Sequence, residues 1–453
     1  MNEECIPKGK VFLGGSCNPT TWRKCTAIPH LEKNALSYYN PQVDEWYPEL
    51  MEIEEKAKQR ATVLLFVIDS CTRAVASMVE ASYLAACGRN VVMVVHFFDT
   101  TNPTIAGDVL SEMEVKDLNR GRLFVSNIFH LKGIPHFKSL DHALDVTVQI
   151  ANSGSTNNRT GCSPDNCIVI PVSLVPNETS IIECVFDMYD SDGKGVLSLQ
   201  EVERALIISL GLSKLPKSVL HTDTLRDSAP MNHDDLHVDC NKFCKLYQEL
   251  KSASTNITTP TIQLPWLWSL LTRVLWWPFN FLTNIFWSSQ ELSQPSKASG
   301  LDNDIWYDVF LGGTCASSTW RQDITVPLLK EHQVSFFNPH VTCWSEALIP
   351  YESRAKEKCC ILLYVITGHS TSVGSLVEAS YYLGTTQLVV ICIQDIDGNE
   401  HCLQHLSSRA VRDYNRGRTY LKDAASRKGR PVFSKVEDAT MEAIRLAKLA
   451  HKN

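Results

Sequence analysis

The chain has 453 residues, enough for two to four domains that each bury a core. Hydrophobic residues make up 44% and charged residues 21%, and a formal net charge of -7 argues against nucleic acid as a partner. The opening MNEECIPKGKVF has charges where a secretory signal needs an apolar run, and 16 scattered cysteines suit free thiols better than a disulfide framework, so a cytoplasmic setting is expected.

Short runs rich in Val, Ile, Leu and aromatics alternate with helical stretches along the first 152 residues. VFLGG reads as a first strand running into Gly14 and Gly15, and SYYN as a second ending at Asn40 before Pro41. PELMEIEEKAKQR has Pro at its start, acids early and bases late, the charge order that suits a helix dipole. ATVLLFVI is a buried strand leading to Asp69, and a small, apolar helix after it carries Glu80 in MVEASY. NVVMVVHF and IPHF supply two more strands, with KDLNRGR between them and SLDHALDVTVQIA as a closing helix, its Ser139 placed to cap it. Five strands separated by helices predict a flavodoxin-like parallel sheet of Rossmann-like type.

An insert follows. Cys162 and Cys167 bracket SPDN, but no neighbouring His or Cys completes a zinc set. FDMYDSDGKGVLSLQEVERAL, from Phe186, resembles an EF-hand: Asp190, Asp192, Gly195 and Glu201 stand at loop positions one, three, six and twelve, Val196 offers its carbonyl and Ser198 holds a water. Calcium is the cofactor this implies, opposed by Lys194 at the fifth position. A mate around NHDDLHVDCNKFCKLY has apolar Val238 and Phe243 in register but Lys242 at its twelfth position, so it completes a core without binding an ion. The insert is expected to be an all-α EF-hand-like pair over residues 178–252.

LPWLWSLLTRVLWWPFNFLTNIFW, Leu264 to Trp287, has five tryptophans and one charge, Arg273. Only about 12 residues between Pro265 and Pro278 can run as unbroken helix, roughly 18 Å against the roughly 30 Å of a bilayer core, so a simple span is disfavoured. Two readings stand for residues 262–288: short helices lying in a membrane interface, which would make the protein peripherally membrane-associated, or a hydrophobic hairpin packed internally.

The first domain then returns. KVFLGGSCNPTTWRK from Lys10 is answered by DVFLGGTCASSTWRQ from Asp308, a shift of 298 residues that also matches Asn40-Pro41 to Asn338-Pro339, Trp46 to Trp344, and LLFVIDSCTRAVASMVEASY to LLYVITGHSTSVGSLVEASY. KDLNRGR answers RDYNRGR after two residues are lost. The closing helix SKVEDATMEAIRLAKLA again opens on a Ser, Ser434. The chain therefore reads as two α/β domains in tandem, 8–152 and 305–450.

Ligands of open parallel sheets bind beyond the carboxyl ends of the strands. Gly14, Gly15, Gly312 and Gly313 there either admit a ligand to the backbone or make a tight turn. Asn40 and Asn338 either read a base or sugar or cap a turn. Glu80 recurs as Glu378 while neighbours drift, whereas Asp69 becomes Thr367. The run Asn119-Arg120-Gly121-Arg122, repeated as Asn415-Arg416-Gly417-Arg418, either binds phosphate through Arg120 and Arg416 or ends a helix at its Gly.

The order DVFLGGTCASSTWR, FFNP, Trp344, LLYVIT and SLVEAS, followed by the first copy as well, resembles the nucleoside 2-deoxyribosyltransferase-like family over both domains, about two-thirds of the chain. The resemblance implies a deoxynucleoside or deoxynucleotide substrate and cleavage or exchange at its N-glycosidic bond. It also implies Glu80 and Glu378 as nucleophiles, Asp69 as the strand-end carboxylate that holds a sugar hydroxyl, and a pseudo-dimer of the two copies within one chain. The other reading is a non-catalytic adaptor that keeps the fold and is regulated by calcium or a membrane.

Overall fold

The computed structural model describes residues 10–44, 47–98, 103–153, 178–190, 193–210, 212, 237–255, 306–315, 318–341, 344–397, 403 and 405–451. Trp46, Asp192, Cys162, Cys167 and the segment Leu264 to Trp287 lie outside them. Every cysteine among the described residues is a free thiol, and no described helix is long and apolar enough to cross a membrane.

The first repeat runs β1 (Val11–Gly15), α1 (Ile28–Lys33), β2 (Tyr38–Tyr39), α2 (Leu50–Arg60), β3 (Val63–Ile68), α3 (Val75–Ala86), β4 (Val91–Val95), a small hairpin of β5 (Thr104–Ile105) and β6 (Asp108–Val109), α4 (Glu112–Leu131), β7 (His136–Phe137) and α5 (Leu140–Ser153). Its five-stranded sheet has the order β2-β1-β3-β4-β7, all parallel, with Val11 to Gly15 in register with Val63 to Val67. All of β3 and β4 is buried because helices cover both faces, hence their unbroken apolar runs. Leu31 of α1 and Ala143, Leu144 and Ile150 of α5 pack on one face against Val11, Leu13, Leu65 and Val92.

The insert, taken by itself, contains α6 (Glu178–Tyr189), β8 (Val196–Ser198), α7 (Leu199–Leu210), β9 (His237–Asp239) and α8 (Cys240–Thr255). β8 and β9 pair antiparallel with Leu197 opposite Val238, both fully buried, and the Phe186 and Phe243 rings meet at 5.8 Å.

The second repeat runs β10 (Tyr307–Gly313), α9 (Val326–Glu331), β11 (Phe336–Phe337), α10 (Ile349–Glu357), β12 (Cys359–Ile366), α11 (Val373–Gly384), β13 (Leu388–Ile393), α12 (Ser408–Arg427), β14 (Val432–Phe433) and α13 (Val436–Ala450), with sheet order β11-β10-β12-β13-β14. The tandem flavodoxin-like fold is thus present in both copies. One local expectation is corrected: α13 starts after Lys435 with no side-chain cap, so Ser434 does not cap it.

The two repeats form one compact unit, face to face through helices: α3 packs against α11 and α12, and α4 against α11. α3 is buried at Val75, Met78, Val79, Ala81, Ser82, Leu84 and Ala85 because it is sandwiched between its own sheet and the other repeat, which explains a helix that is small and apolar nearly all round. A Cβ on Gly384 would stand 2.6 Å from the Ala86 methyl, and the Ser380 hydroxyl donates to the Val79 carbonyl across the interface.

Candidate active site

Both sheets end in the same constructed edge. A Cβ on Gly14 would lie 2.5 Å from the Phe66 ring, and Gly15, at φ +107°, would put one 2.2 Å from the Val67 carbonyl oxygen. Gly312 and Gly313 are constrained identically by Tyr364 and Val365. The glycines are therefore demanded by strand packing, and they also line the cavities beside them. The WR pair after each Gly-Gly braces that edge: Arg23 donates to the Leu13, Gly15 and Ser16 carbonyls and Trp22 to Ser16, while Arg321 and Trp320 do the same around Thr314.

Helix α3 starts from Ala74 and α11 from Ser372, both non-glycine residues in left-handed backbone, at φ 51° and 52°. Such residues cost energy and persist only where surroundings hold them. The holder is a buried arginine. Arg122 donates to the carbonyls of His96, Leu118, Asp69 and Thr72, tying the ends of β3 and β4 to the entry of α3; Arg418 does so with Gln394, Tyr414, Thr367 and Ser370. Burial pushes both guanidiniums down to about 10, which leaves them cationic at neutral pH. In neither copy does the Asn-Arg-Gly-Arg run end a helix, since it lies inside the 20-residue helices α4 and α12. Asn119 and Asn415 clasp the backbone of Phe98 and Ile396, and a Cβ on Gly121 or Gly417 would meet Val373 at 2.4 Å or Val75 at 2.5 Å across the repeat interface.

Between the last turn of α2 and the middle of α3, and between α10 and α11 likewise, lie two clusters of alternating charge. Lys58 of α2, 3% exposed, donates to Glu80 Oε1 and stands 3.6 Å from Glu55; Lys356 of α10 is 2.7 Å from Glu378 Oε1 and 3.5 Å from Glu352. Glu54 and Glu352, one helical turn before these lysines, are buried as well. Burial and the neighbouring Glu80 charge push the Glu54 carboxyl up, against the pull of Lys58 and of a Tyr420 hydroxyl at 3.1 Å. Glu352 is likewise raised by burial, with Trp344 Nε1 donating to it at 2.8 Å. Each cluster thus pairs a lysine-held glutamate with a second carboxyl biased toward its protonated form.

Each cavity is completed by the other repeat. In the first, about 540 Å³, Glu54 and Glu80 face Arg409, Arg412, Arg416 and Tyr420 of α12. In the second, about 240 Å³, Glu352 and Glu378 face Asp117, Arg120 and Phe124 of α4. There Arg120 lies 3.5 Å over the Trp344 ring, which also stacks on Phe124. Arg73, fully buried, pairs with Glu114 of its own repeat at 2.7 Å and crosses the interface to Asp413 at 3.2 Å; its counterpart Thr371 donates instead to Asp117.

Of the residues expected from the sequence, Glu80, Gly14, Gly15 and Arg416 come together at the first cavity and Glu378, Gly312, Gly313 and Arg120 at the second. Asp69 is not among the lining residues: its Oδ1 accepts from the Cys71 amide at 2.9 Å and from Thr72. The Asn40 and Asn338 side chains accept from the Gln42 and His340 amides through Oδ1. The sequence reading missed Glu54, Lys58, Glu352, Lys356, Arg73 and Tyr420. A signal existed: Glu and Lys recur four residues apart on the 298-residue shift, in helices where most other letters drifted.

In the insert, Asp190 accepts from the Lys194 amide at 3.0 Å and the Gly195 amide at 2.8 Å, and Glu201 accepts from the Ser198 amide and hydroxyl, both at 2.8 Å.

Comparison with protein families gives two matches to one model, described as nucleoside 2-deoxyribosyltransferase like, at residues 8–98 and 306–396. The matched segments are offset by the same 298 residues as the repeat. No curated protein matches the chain.

Proposed function

We propose, from two segments that match a nucleoside 2-deoxyribosyltransferase-like model, that the chain cleaves or exchanges the N-glycosidic bond of a deoxynucleoside or deoxynucleotide, with Glu80 as the nucleophile of the repeat-1 cavity. The observation that supports this is the setting of Glu80: it lines an open cavity, Lys58 engages its Oε1, and Glu54, raised by burial, lines the same space. A Glu80 oxygen attacks the anomeric carbon, the bond to the base breaks, and Glu54 donates the proton that the departing base needs. Water or an acceptor base then opens the glycosyl ester, returning a proton to Glu54. Asp69 serves by fixing the turn that launches α3. Glu378 is the corresponding group of the smaller second cavity.

Chromatography of deoxynucleosides and deoxynucleotides, with and without acceptor base, tests this with Glu80→Gln, Glu378→Gln and the double variant. Base release that falls at least about a hundredfold in Glu80→Gln is expected. Turnover untouched by the double change would sink it. One observation favours a second reading, a non-catalytic nucleoside-binding adaptor: both glutamates are already engaged by buried lysines. Saturable binding without turnover would select that reading.

Two regulatory elements belong to the same proposal. The Asp190 and Glu201 carboxylates close on amides and a hydroxyl of their own loop, a fit to a calcium loop in which Asp190, Asp192, the Val196 carbonyl, Ser198 and Glu201 would hold the ion. Calorimetric titration of calcium into wild type and Glu201→Gln tests this; heat in both alike would exclude the loop. Leu264 to Trp287 is proposed as a membrane-interface segment, tested by liposome flotation of the chain with and without it.

A further inference from the structure

Helix α12 sends Arg409, Arg412, Asp413, Arg416 and Tyr420 into the repeat-1 cavity. Their spacing of three, one, three and four residues is a single stripe on an α-helix. The carboxylates around them are already engaged: Asp413 with Arg73, Glu54 with Tyr420, Glu80 with Lys58, leaving Asp44 exposed at the margin. Arg412 is exposed and makes no hydrogen bond or ion pair among the described residues, and exposed Arg409 donates to the Ala106 carbonyl at 3.1 Å. Arg409 stands in the first turn of α12 and Arg412 opens the second, where the helix dipole also favours an anion.

The same stripe in α4 reads Met113, Lys116, Asp117, Arg120 and Phe124. Met113 is apolar, Lys116 is paired with Glu112 at 2.7 Å and does not line the second cavity, and Arg120 is stacked on Trp344. The first cavity therefore presents the exposed guanidiniums of Arg409 and Arg412, with Arg416 beside Tyr420, and the second has no cationic counterpart of Arg409 or Arg412 in its lining.

We propose that the repeat-1 cavity binds a nucleoside monophosphate through Arg409, Arg412 and Arg416, whereas the repeat-2 cavity admits only the unphosphorylated nucleoside. Guanidinium forks match phosphate oxygens and lose little entropy in doing so. The inference rests on the reading of both cavities as nucleoside sites and adds which chemical class each one takes.

Calorimetry of the full chain with the common deoxynucleoside monophosphates and their nucleosides tests it, beside Arg409→Gln/Arg412→Gln and, as a control outside both cavities, Lys116→Gln. The monophosphate is expected to bind at least roughly tenfold tighter than its nucleoside at one site per chain. The double glutamine variant should erase that preference, and Lys116→Gln should keep it. Equal affinity for the two forms, a preference that survives the double change, two phosphate-sensitive sites, or no binding at all would overturn the proposal. Arginine-dependent monophosphate binding without base release keeps this inference and removes the glycosidic chemistry. Base release from nucleosides without phosphate preference does the reverse.

Discussion

The Tyr420 hydroxyl of the second repeat donates to Glu54 of the first at 3.1 Å, and both side chains are buried. A carboxyl in one repeat is thus tuned by a phenol in the other. Tyr420→Phe should cost about 2 kcal/mol in denaturant unfolding, the worth of a buried bond to an ionisable group. The bond pulls Glu54 down against burial, so its loss sends the carboxyl higher still. If Glu54 is the acid, the alkaline limb of the rate profile moves to higher pH in this variant, and an unmoved limb separates Glu54 from the chemistry.

The pairing of Lys58 with Glu80 allows structure and function to be parted. Lys58→Met leaves buried carboxylates without their cation and should cost about 3–5 kcal/mol. Adding Glu80→Leu removes the uncompensated charge and should recover at least about 2 kcal/mol of that, while base release stays absent. Recovered stability together with retained turnover would show that Glu80 is only a partner for the lysine.

Alkaline pH should weaken the fold. Burial alone lowers Lys58, but the charges of Glu80, Glu55 and Glu54 outweigh it and hold the ammonium above its ordinary 10.5; Glu378 and Glu352 do the same for Lys356. A folded value above the unfolded one gives stability that is complete below 10.5 and fades as pH climbs toward the folded value. The thermal midpoint should therefore drop above pH 10.5. Buried Tyr414 and Tyr420 are raised too and act in the same direction, since the unfolded phenols ionise as pH passes 10.0 while the folded ones still hold their protons. Both effects lower stability as pH rises, so the lysine share is read from how much the drop shrinks in Lys58→Met/Glu80→Leu.

Gly417 tests the repeat interface. An added methyl would stand 2.5 Å from Cγ1 of Val75, whose β-branched side chain cannot rotate away cheaply. Overpacking of about 1–3 kcal/mol exceeds the gain of about 1 kcal/mol from placing Ala in a helix. Gly417→Ala should lower the thermal midpoint, and Val75→Ala in the same chain should restore part of it. A midpoint raised by Gly417→Ala alone would contradict the close approach of α12 to α3.

Much of the fold was legible before any coordinates. β1, β3 and β4 are apolar runs with hardly an interruption because each is covered on both faces, and such runs announce a parallel sheet. The second copy doubled the signal: when VEASY returns after 298 residues among drifted neighbours, Glu80 and Glu378 stand out. Less legible were residues whose role depends on something distant in sequence. Arg122 looks like a phosphate binder in its local run, yet it spends its guanidinium on four carbonyls from two strand ends, a turn and its own helix. Asp69 has the position of a strand-end carboxylate, yet it folds back on the Cys71 amide.

The sequence by itself determined the tandem repeat, the strand succession and the glutamate on α3, because periodicity and recurrence are properties of order along a chain. Tertiary structure alone decided that the two repeats face each other through α3, α4, α11 and α12, so that Tyr420 reaches Glu54 and the α12 arginines reach the first cavity. Tyr420 and Glu54 are 366 residues apart, and no local pattern marks such a pair. Their meeting follows from where two buried helical faces find enough apolar surface to close on one another.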